Sequence, residues 1–328
     1  MPDPTVTVVV PTLSADSALA ECLESLARQS YRDFQVIVVD NSGNSKVTER
    51  EGVKVIRNEK NVGFGAAINQ GIRACDSPLV ATLNDDTVAQ PEWLQGLVKE
   101  ITARYEVGMA ASQIRMASDG RLDSAGMLLC ADGSSKQRGH LESPERFSRR
   151  QEVLMPSGCA AIYKRDMLDE TGLFDEDFFL YCEDTDLGLR ARWGAWECTY
   201  VPGAVVEHRY SHSAGRASDL KAFYVERNRL FVAFKNFPRS LLLALPFWSL
   251  VRYFWHFVYG MRGQGAAAEF KKNGGSSLSV VMRAHMELFR NWSSLRRKRK
   301  EIRRRLTPKQ FRSMVRQFYI SPRRVASL

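Results

Sequence analysis

The sequence lacks several patterns that mark common classes of protein. Its six cysteines form no C-x-x-C pair, so their spacing indicates neither a zinc site nor a redox motif. No basic region followed by an apolar run precedes the first strand-like segment, and we therefore expect no secretory signal and a reduced, cytosolic body. The turn after that segment lacks G-x-G-x-x-G, which argues against a dinucleotide site, and no internal repeat is visible.

Acidic residues are scarce in the last third of the chain. Residues 216–328 hold 25 Lys and Arg against 5 Asp and Glu, whereas residues 1–215 hold 22 against 32, and the net charge of the 328 residues is +10. We predict two domains with these boundaries, 1–215 and 216–328. A tail with this much positive charge binds a polyanion, either nucleic acid or an anionic lipid surface.

Strand-like and helical patterns alternate over the first 105 residues. The continuous apolar runs are typical of strands in a parallel sheet that is covered on both faces, so the sequence predicts a doubly wound α/β domain. An irregular stretch with hairpins or a long loop follows it. Strands are predicted at 6–10, 34–40, 53–56, 79–83 and 204–208, and helices at 19–26, 66–74, 91–105, 165–171 and 184–193.

Residues 241–260 are strongly apolar and aromatic but contain Pro246, Arg252 and His256. A helix that spans a bilayer needs about 20 mainly apolar residues, and a central Arg costs about 3 kcal/mol on insertion scales. We therefore expect this segment to lie in the membrane interface, followed by the basic clusters at 296–300 and 303–305. Its aromatic residues favour a membrane over nucleic acid as the partner of the tail.

Polar side chains follow three of the predicted strands at their carboxyl ends, where open parallel sheets bind ligands. They are Pro11-Thr12, Asp40-Asn41 and Asn84-Asp85-Asp86. Two adjacent carboxylates are costly to hold together without a cation, so Asp85 and Asp86 indicate a divalent metal such as Mg²⁺ and, with it, a nucleotide diphosphate. The alternative is a turn that caps the helix at 91–105.

A second acidic group, Glu183, Asp184 and Asp186, lies at the start of the helix predicted at 184–193. The helix dipole favours carboxylates there in any case, but the apolar lead-in favours a raised pKa and a role as base. The glycine-rich stretch from Asn61 through Gly63 leads into a helix and is a weak candidate for anion binding. His208 is a candidate metal ligand, although a lone histidine is more often a packed residue.

Taken in order, these segments resemble family 2 glycosyltransferases, particularly the rhamnosyltransferase-like and galactofuranosyltransferase-like branches. The resemblance covers roughly residues 5–230 and rests on an ordered set of motifs. These are Val8–Thr12, Val38–Ser42, Asn61–Gly65 with Asn69, Leu83–Thr87, Gly172–Glu176, Glu183–Leu187 and Tyr224–Arg229.

The resemblance implies a GT-A fold and an inverting transfer that depends on Mg²⁺ or Mn²⁺. Asp184 would be the general base beside Glu183, and Asp86 and His208 would bind the metal. Asn84 stands at the first position of the family's D-x-D-like motif, which leaves Asp85 to assist the metal site or to contact the donor. The residues that would bind the nucleotide-sugar are Pro11, Thr12, Asp40, Asn41, Asn61, Gly63, Asn69, Asn84 and Asp85.

The resemblance further implies a donor and an acceptor. The expected donor is dTDP-rhamnose, with UDP-galactofuranose or a UDP-hexose as the alternative. The expected acceptor is a polyprenyl-diphosphate-linked glycan of the bacterial cell envelope, used by an enzyme peripheral to the cytoplasmic face of the membrane. Two rivals from other classes are a nucleotidyltransferase, which would need a glycine-rich triphosphate loop, and a nucleic-acid-binding protein driven by the basic tail.

Overall fold

The computed structural model describes residues 4–209, 219–265, 268 and 277–328. The chain packs into two compact units, Met1–Met127 with Gln137–Ser213, and Leu128–Lys136 with Ala214–Leu328. The domain boundary predicted at residue 215 lies outside the described residues. Residues 128–136 differ from the expectation, because they pack with the C-terminal unit although the sequence analysis placed them in the first domain.

The strands of both units and the helices of the first unit have the following bounds. The strands are β1 (Val6–Thr12), β2 (Phe34–Asp40), β3 (Val53–Arg57), β4 (Leu79–Leu83), β5 (Thr87–Ala89), β6 (Val107–Met116), β7 (Leu122–Ser124), β8 (Met127–Leu129), β9 (Ser135–Gln137), β10 (Gln151–Val153), β11 (Ala160–Lys164) and β12 (Glu197–His208). The helices are α1 (Ser17–Ala27), α2 (Phe64–Arg73), α3 (Trp93–Thr102), α4 (Arg165–Thr171) and α5 (Glu183–Trp193).

The central sheet has the strand order β10-β12-β6-β11-β4-β1-β2-β3, with β5 added beside β12 and β7 beside β6. β1 runs parallel to β2 and to β4, whereas β11 is antiparallel to β4 and β6. Successive side chains of β1 point to opposite faces, so Val8 packs with α1 and α3 while Val9 packs with α2. The predicted α/β fold is confirmed, and each fully buried Val contributes about 1.5–3 kcal/mol.

Two internal strands, β6 and β11, are absent from the sequence prediction. β6 carries Gly108, Ala110 and Ala111, which are poor strand formers. The structure requires a small residue at Gly108, because an added Cβ would lie 2.8 Å from Met167 Cγ and 2.9 Å from Trp196 Cε3. Because a helix packs closely on this strand, small residues occupy positions where β-branched residues would otherwise have indicated a strand.

The strand predicted at 204–208 is the end of a longer one. β12 begins at Glu197 and passes through Pro202 and Gly203 by shifting its register against β6 between Val201 and Val205. The Pro-Gly pair resembles a turn in sequence, but a bulge accommodates it within the strand.

The second unit joins the β8–β9 hairpin to helices, as predicted for the tail. Their bounds are α6 (Asp219–Asn236), α7 (Arg239–Met261), α8 (Ser277–Arg290), α9 (Trp292–Glu301), α10 (Pro308–Gln317) and α11 (Pro322–Ser327). α8 packs mainly on α6, and α11 packs on α7. Thr307 and Gln310 form a capping box at the start of α10, which satisfies two backbone N–H groups of the first turn.

A buried ion network holds the hairpin to α6 and α7. Arg229 Nη1 donates to Asp132 O over 3.0 Å, and Arg252 Nη2 donates to Glu226 Oε2 over 2.6 Å. Arg229 also pairs with Glu226, and Arg252 with Asp132, so two guanidinium groups neutralise two carboxylates. The motif Tyr224–Arg229 therefore does not offer Arg229 to a diphosphate or to solvent, because its side chain is fully buried.

Candidate active site

The carboxyl ends of β1 and β2 form one side of the candidate site. Thr12 and Asp40 are paired in register, and Asn41 N donates to Thr12 O over 2.8 Å. The Asp40 carboxylate accepts from Ser42 N (3.0 Å) and Val47 N (2.9 Å). Burial alone would raise the pKa of Asp40, but these hydrogen bonds hold it below its ordinary value. Asp40 is therefore ionised, and its hydrogen bonds fix the turn after β2. Pro11 precedes Thr12 on the same strand.

Asn41 connects β2 to the loop before α2. Its Nδ2 donates to Asn61 Oδ1 over 2.9 Å, and its Oδ1 accepts from Val62 N over 2.9 Å. Asn61 Oδ1 in turn accepts from Gly63 N over 2.9 Å. The two asparagines therefore shape the glycine-rich entry to α2, and a direct contact with a nucleotide stays a prediction for both.

Gly63 fits the start of α2 against the segment before α5. Its φ is +89°, and an added Cβ would lie 2.4 Å from Phe179 O, so only glycine fits. Phe64 N donates to the same oxygen over 2.7 Å. Three residues of that segment, Phe179, Tyr181 and Cys182, have positive φ, a conformation that costs about 1–3 kcal/mol per residue.

Asn69 is buried inside the protein. Its Nδ2 donates to Phe174 O (2.8 Å) and Glu176 Oε1 (2.9 Å), and its Oδ1 accepts from Phe174 N (3.0 Å). The amide therefore ties α2 to the loop between α4 and α5. A role of Asn69 at the nucleotide stays a prediction, and the contacts shown here are with protein.

Asp184 and Glu183 begin α5 in different environments. The Asp184 carboxylate accepts from Gly158 N over 3.0 Å and from Thr185 N over 2.6 Å. Burial raises the pKa of Asp184 in spite of these bonds. Glu183 Oε2 is buried and has no hydrogen-bond partner among the described residues, and burial together with Asp184 raises the pKa of Glu183 to about 8. At neutral pH, Glu183 is therefore mainly protonated.

Asp86 and His208 lie together at the ends of β4 and β12. Asp86 Oδ1 is 3.3 Å from His208 Nε2, and Asp123 Oδ2 is 2.8 Å from His208 Nδ1. Burial lowers the pKa of His208, but Cys159 and the two carboxylates raise it well above its ordinary value. The same negative charges that hold a proton on this ring would favour a cation in its place.

The geometry of this pair fits two ligands of one divalent ion. Atoms bound at about 2.1 Å and at right angles to each other are about 3 Å apart, close to the separation of Asp86 Oδ1 and His208 Nε2. Asn84 Oδ1 is buried nearby in sequence without a hydrogen-bond partner among the described residues, and Asp85 is half-buried. No set of three or more His, Cys, Asp or Glu side chains arranged for a metal occurs in the part of the chain that the structure describes.

Two consecutive residues connect the acidic group at α5 with the Asp86–His208 pair. Gly158 binds the Asp184 carboxylate through its N–H, and Cys159 O accepts from Asn84 N over 2.8 Å. The Cys159 thiol also interacts with His208. The predicted base and the predicted metal ligands therefore lie at the same edge of the sheet.

Comparison with known proteins gives the family. The sequence profile of "Glycosyl transferase family 2" matches residues 7–172, half of the chain. The chain belongs to glycosyl transferase family 2. The match includes β1, β2, α2 and β4, which carry most of the candidate site.

Two curated relatives of this glycosyltransferase show different coverage. The N-acetylglucosaminyl-diphospho-decaprenol L-rhamnosyltransferase of Mycobacterium tuberculosis is 29% identical over 247 residues, which are 66% of this chain and 80% of that protein. The uncharacterized protein y4gI of Sinorhizobium fredii is 28% identical over 65% of this chain, but the match spans only 25% of its own length.

A solved structure shows the fold of the glycosyltransferase. GalNAc-T7, crystallised with UDP, GalNAc and Mn²⁺, has a TM-score of 0.59 at 16% identity, and the match covers 76% of this chain and 51% of that chain. The likeness confirms the GT-A type of α/β fold that the motifs imply.

Asp123 and His140 lie beside the candidate metal ligands of the glycosyltransferase, and no sequence pattern predicted them there. Asp123 lies on β7 and bridges His140 and His208. Burial would raise the pKa of Asp123, but hydrogen bonds from the two histidines lower it to about 2. No local pattern marks Asp123, since its partner His208 is 85 residues further along the chain.

Proposed function

We propose that this glycosyltransferase moves L-rhamnose from dTDP-rhamnose to a hydroxyl group of a lipid-linked glycan, with inversion at the anomeric carbon. The proposal rests mainly on two contacts of consecutive residues. Gly158 binds the Asp184 carboxylate, and Cys159 interacts with His208 of the Asp86–His208 pair. A base and an anchor for a diphosphate are the two groups that a single displacement needs.

The base in this proposal is Asp184. Gly158 N and Thr185 N hold its carboxylate in place, while burial raises its pKa and therefore its affinity for a proton. Asp184 takes the proton of the acceptor hydroxyl as that oxygen attacks the sugar from the side opposite the diphosphate. The attack forms the new glycosidic bond and breaks the bond to the diphosphate in one step, so the mechanism needs no covalent nucleophile.

Asp86 and His208 would hold a divalent ion, Mg²⁺ or Mn²⁺. Such an ion neutralises the charge that develops on the departing diphosphate. Asp86 supplies a hard oxygen ligand, and Asp123 orients the His208 ring through Nδ1. Water and phosphate oxygens would complete the shell, in keeping with the small number of protein ligands.

The donor and acceptor are proposed from the relatives. The Mycobacterium tuberculosis relative is named for transfer of L-rhamnose to N-acetylglucosaminyl-diphospho-decaprenol, which supports a polyprenyl-diphosphate-linked glycan of the bacterial cell envelope as acceptor. The alternative donor is a UDP-sugar, galactofuranose or a hexose, because GalNAc-T7 binds UDP on the same type of fold.

We propose that the enzyme is peripheral to the cytoplasmic face of the membrane and that α7 lies along the surface. α7 has the length and hydropathy to cross a bilayer, with 23 residues and a mean hydropathy of 1.4. Its midpoint Arg252, however, is paired with Asp132 and Glu226, and a crossing would carry these carboxylates towards the bilayer centre. One face of α7 exposes large apolar side chains, namely Leu243, Phe247, Leu250, Phe254, Phe257 and Met261.

A donor panel tests the proposed reaction. The full-length enzyme is incubated with a polyprenyl-diphosphate-linked acceptor and dTDP-rhamnose, UDP-galactofuranose or a UDP-hexose, with Mg²⁺, with Mn²⁺ or with a chelator. We expect release of nucleoside diphosphate with dTDP-rhamnose and a divalent ion, together with a product of inverted anomeric configuration. A product with retained configuration would contradict the base role of Asp184, and turnover of UDP-sugars alone would favour the alternative donor.

A further inference from the structure

α8 and α9 form an almost continuous helix. Asn291 N donates to Glu287 O over 3.0 Å, and Asn291 O accepts from Leu295 N over 2.9 Å. The hydrogen-bond pattern therefore passes from one helix into the other through a single residue. At 1.5 Å per residue, the segment from Ser277 to Glu301 is about 37 Å long.

The inner side of this helix is fixed to its own unit. Val280, Ala284 and Leu295 are buried, and α8 and α9 both pack on α6. Arg299 donates to the carbonyl oxygens of Phe234 (2.6 Å) and of two further residues at the end of α6, as a cation does when it caps a helix C-terminus. Arg299 therefore does not belong to the solvent-facing charge that the sequence indicates at 296–300.

The outer side of α8 is apolar where a surface helix is normally polar. At 100° per residue, four large apolar side chains of α8 and Trp292 at the start of α9 fall within an arc of about 120°, opposite the buried residues. The exposed fractions are 71% for Leu278, 58% for Met282, 46% for Met286, 71% for Phe289 and 45% for Trp292. A contiguous patch of this kind marks a surface that binds an apolar partner.

The same face becomes basic in α9. Arg296 and Lys300 lie within the arc and Arg297 borders it, and all three side chains are exposed. Glu287, the acidic residue within 277–300, is paired with Arg290 at 2.9 Å. Arg297 Nε lies 4.0 Å from Glu301 Oε1 in an exposed pair. The face therefore combines apolar side chains with an excess of positive charge.

We propose that this face, Leu278 to Lys300, docks on an anionic lipid surface, with the apolar residues among the acyl chains and Arg296, Arg297 and Lys300 at the lipid phosphates. The inference rests on the membrane location proposed above and adds a second membrane-binding surface to that of α7. Residues of this kind enter about 5–10 Å into a bilayer. A second copy of the chain is a poorer partner, because the face would bring like charges together.

The arrangement of charged and apolar side chains on this face favours lipid over nucleic acid as its partner. Nucleic-acid sites place cations along a backbone and gain little from a stripe of Leu, Met and Phe. Anionic lipid offers both a charged layer and an apolar layer, in the order in which the face presents them.

Binding of the full-length protein to vesicles tests the proposal. Flotation is compared on phosphatidylcholine vesicles with and without phosphatidylglycerol. We expect the variant Met282→Ser/Met286→Ser/Phe289→Ser to lower partition at least about tenfold. The variant Arg296→Gln/Arg297→Gln/Lys300→Gln should lower it about fivefold per charge on the anionic vesicles.

Matched control variants distinguish binding by this face from non-specific attraction of the protein's positive charge to the vesicles. Lys309→Gln/Arg316→Gln/Arg324→Gln removes three exposed charges from α10 and α11, and Tyr105→Ser removes an exposed aromatic residue from the first unit. Both should bind as the unaltered protein does. An equal loss of vesicle binding with the α10–α11 variant would overturn the proposal. So would a protein that does not bind vesicles but forms a dimer through the apolar residues of this face.

A further comparison separates the failure of this proposal from failures of the earlier ones. If Phe254→Ser/Phe257→Ser in α7 releases the protein while the α8 and α9 variants bind normally, the membrane location stands and the α8–α9 assignment fails. If the unaltered protein binds neither vesicle, both fail. Rhamnose transfer to a water-soluble acceptor analogue should be the same for the α8 and α9 variants and the unaltered enzyme, so a failed transferase proposal shows in that assay alone.

Discussion

At the scale of single residues, two adjacent carboxyl groups have different chemistry because they have different surroundings. Glu183 is buried with an unpaired oxygen, and its pKa of about 8 keeps it protonated at neutral pH. Asp184 is half-buried, and two backbone N–H groups hold its carboxylate in place and favour the ionised form. In the sequence the two residues are adjacent acids that look alike, and only the packing around them makes their protonation differ.

The substitution Asp184→Asn tests the base role. We expect it to lower kcat about a thousandfold, because the amide cannot accept the hydroxyl proton, while the affinity for donor is preserved. Initial rates measure the first effect, and calorimetric titration with the nucleotide-sugar measures the second. Loss of donor binding in a correctly folded variant would assign Asp184 to the donor site instead.

The substitution Asp123→Asn tests whether Asp123 positions His208, the proposed metal ligand. We expect the affinity for Mn²⁺ in the presence of nucleoside diphosphate to fall about 10- to 100-fold, the usual cost of losing the group that orients a histidine ligand. Asp119→Asn, an exposed change four residues away, is the control. If Asp123→Asn lowers the unfolding temperature and leaves the Mn²⁺ affinity unchanged, Asp123 has a structural role only.

At the scale of elements, α7 shows how an apolar helix tolerates a central arginine. Ser249 and Arg252 are its buried residues, and Arg252 is neutralised by Asp132 of the hairpin and Glu226 of α6. From sequence, the arginine counts only as a cost of membrane insertion. In the structure, it is the contact that holds the helix to its unit.

The substitution Arg252→Ala tests this network. We expect it to lower the free energy of unfolding of the second unit by about 3–5 kcal/mol, because two buried carboxylates are then left with Arg229 as their shared cation. Urea unfolding followed by circular dichroism measures the change, with Arg239→Ala at the exposed start of α7 as the control, expected within about 0.5 kcal/mol. Equal effects of the two changes would show that the buried pairing contributes no more than an exposed charge does.

Elements were predictable where one chain segment suffices to identify them. β1, β2 and β4 are continuous β-branched or apolar runs, and α5 has acidic residues in its first turn, so each is visible in the sequence. The prediction missed β6 because the helix packed on it requires small side chains. The predicted β12 was too short because Pro202 and Gly203, which resemble a turn, form a bulge within the strand. Tertiary contacts overrode local propensity in both strands.

At the scale of the whole molecule, the two units do not coincide with two halves of the sequence. The hairpin residues 128–136 belong to the C-terminal unit, where Asp132 is buried between Arg229 and Arg252. Removing everything after residue 240 would remove Arg252 and leave Arg229 alone to neutralise the buried carboxylates of Asp132 and Glu226. Point substitutions on exposed faces are therefore the cleaner test of membrane binding.

The sequence by itself determined the family, the α/β sheet and the division of charge between an acidic body and a basic tail, and it predicted the sheet edge that carries the candidate site. These features depend on the order and type of residues within short segments. The tertiary structure alone decided that Asp123 orients His208, that Gly158 holds Asp184, and which charges of the tail face solvent. Each of these depends on side chains that are far apart in the chain and meet only when the sheet and helices pack, and burial then decides which charges are paired and which are free to bind.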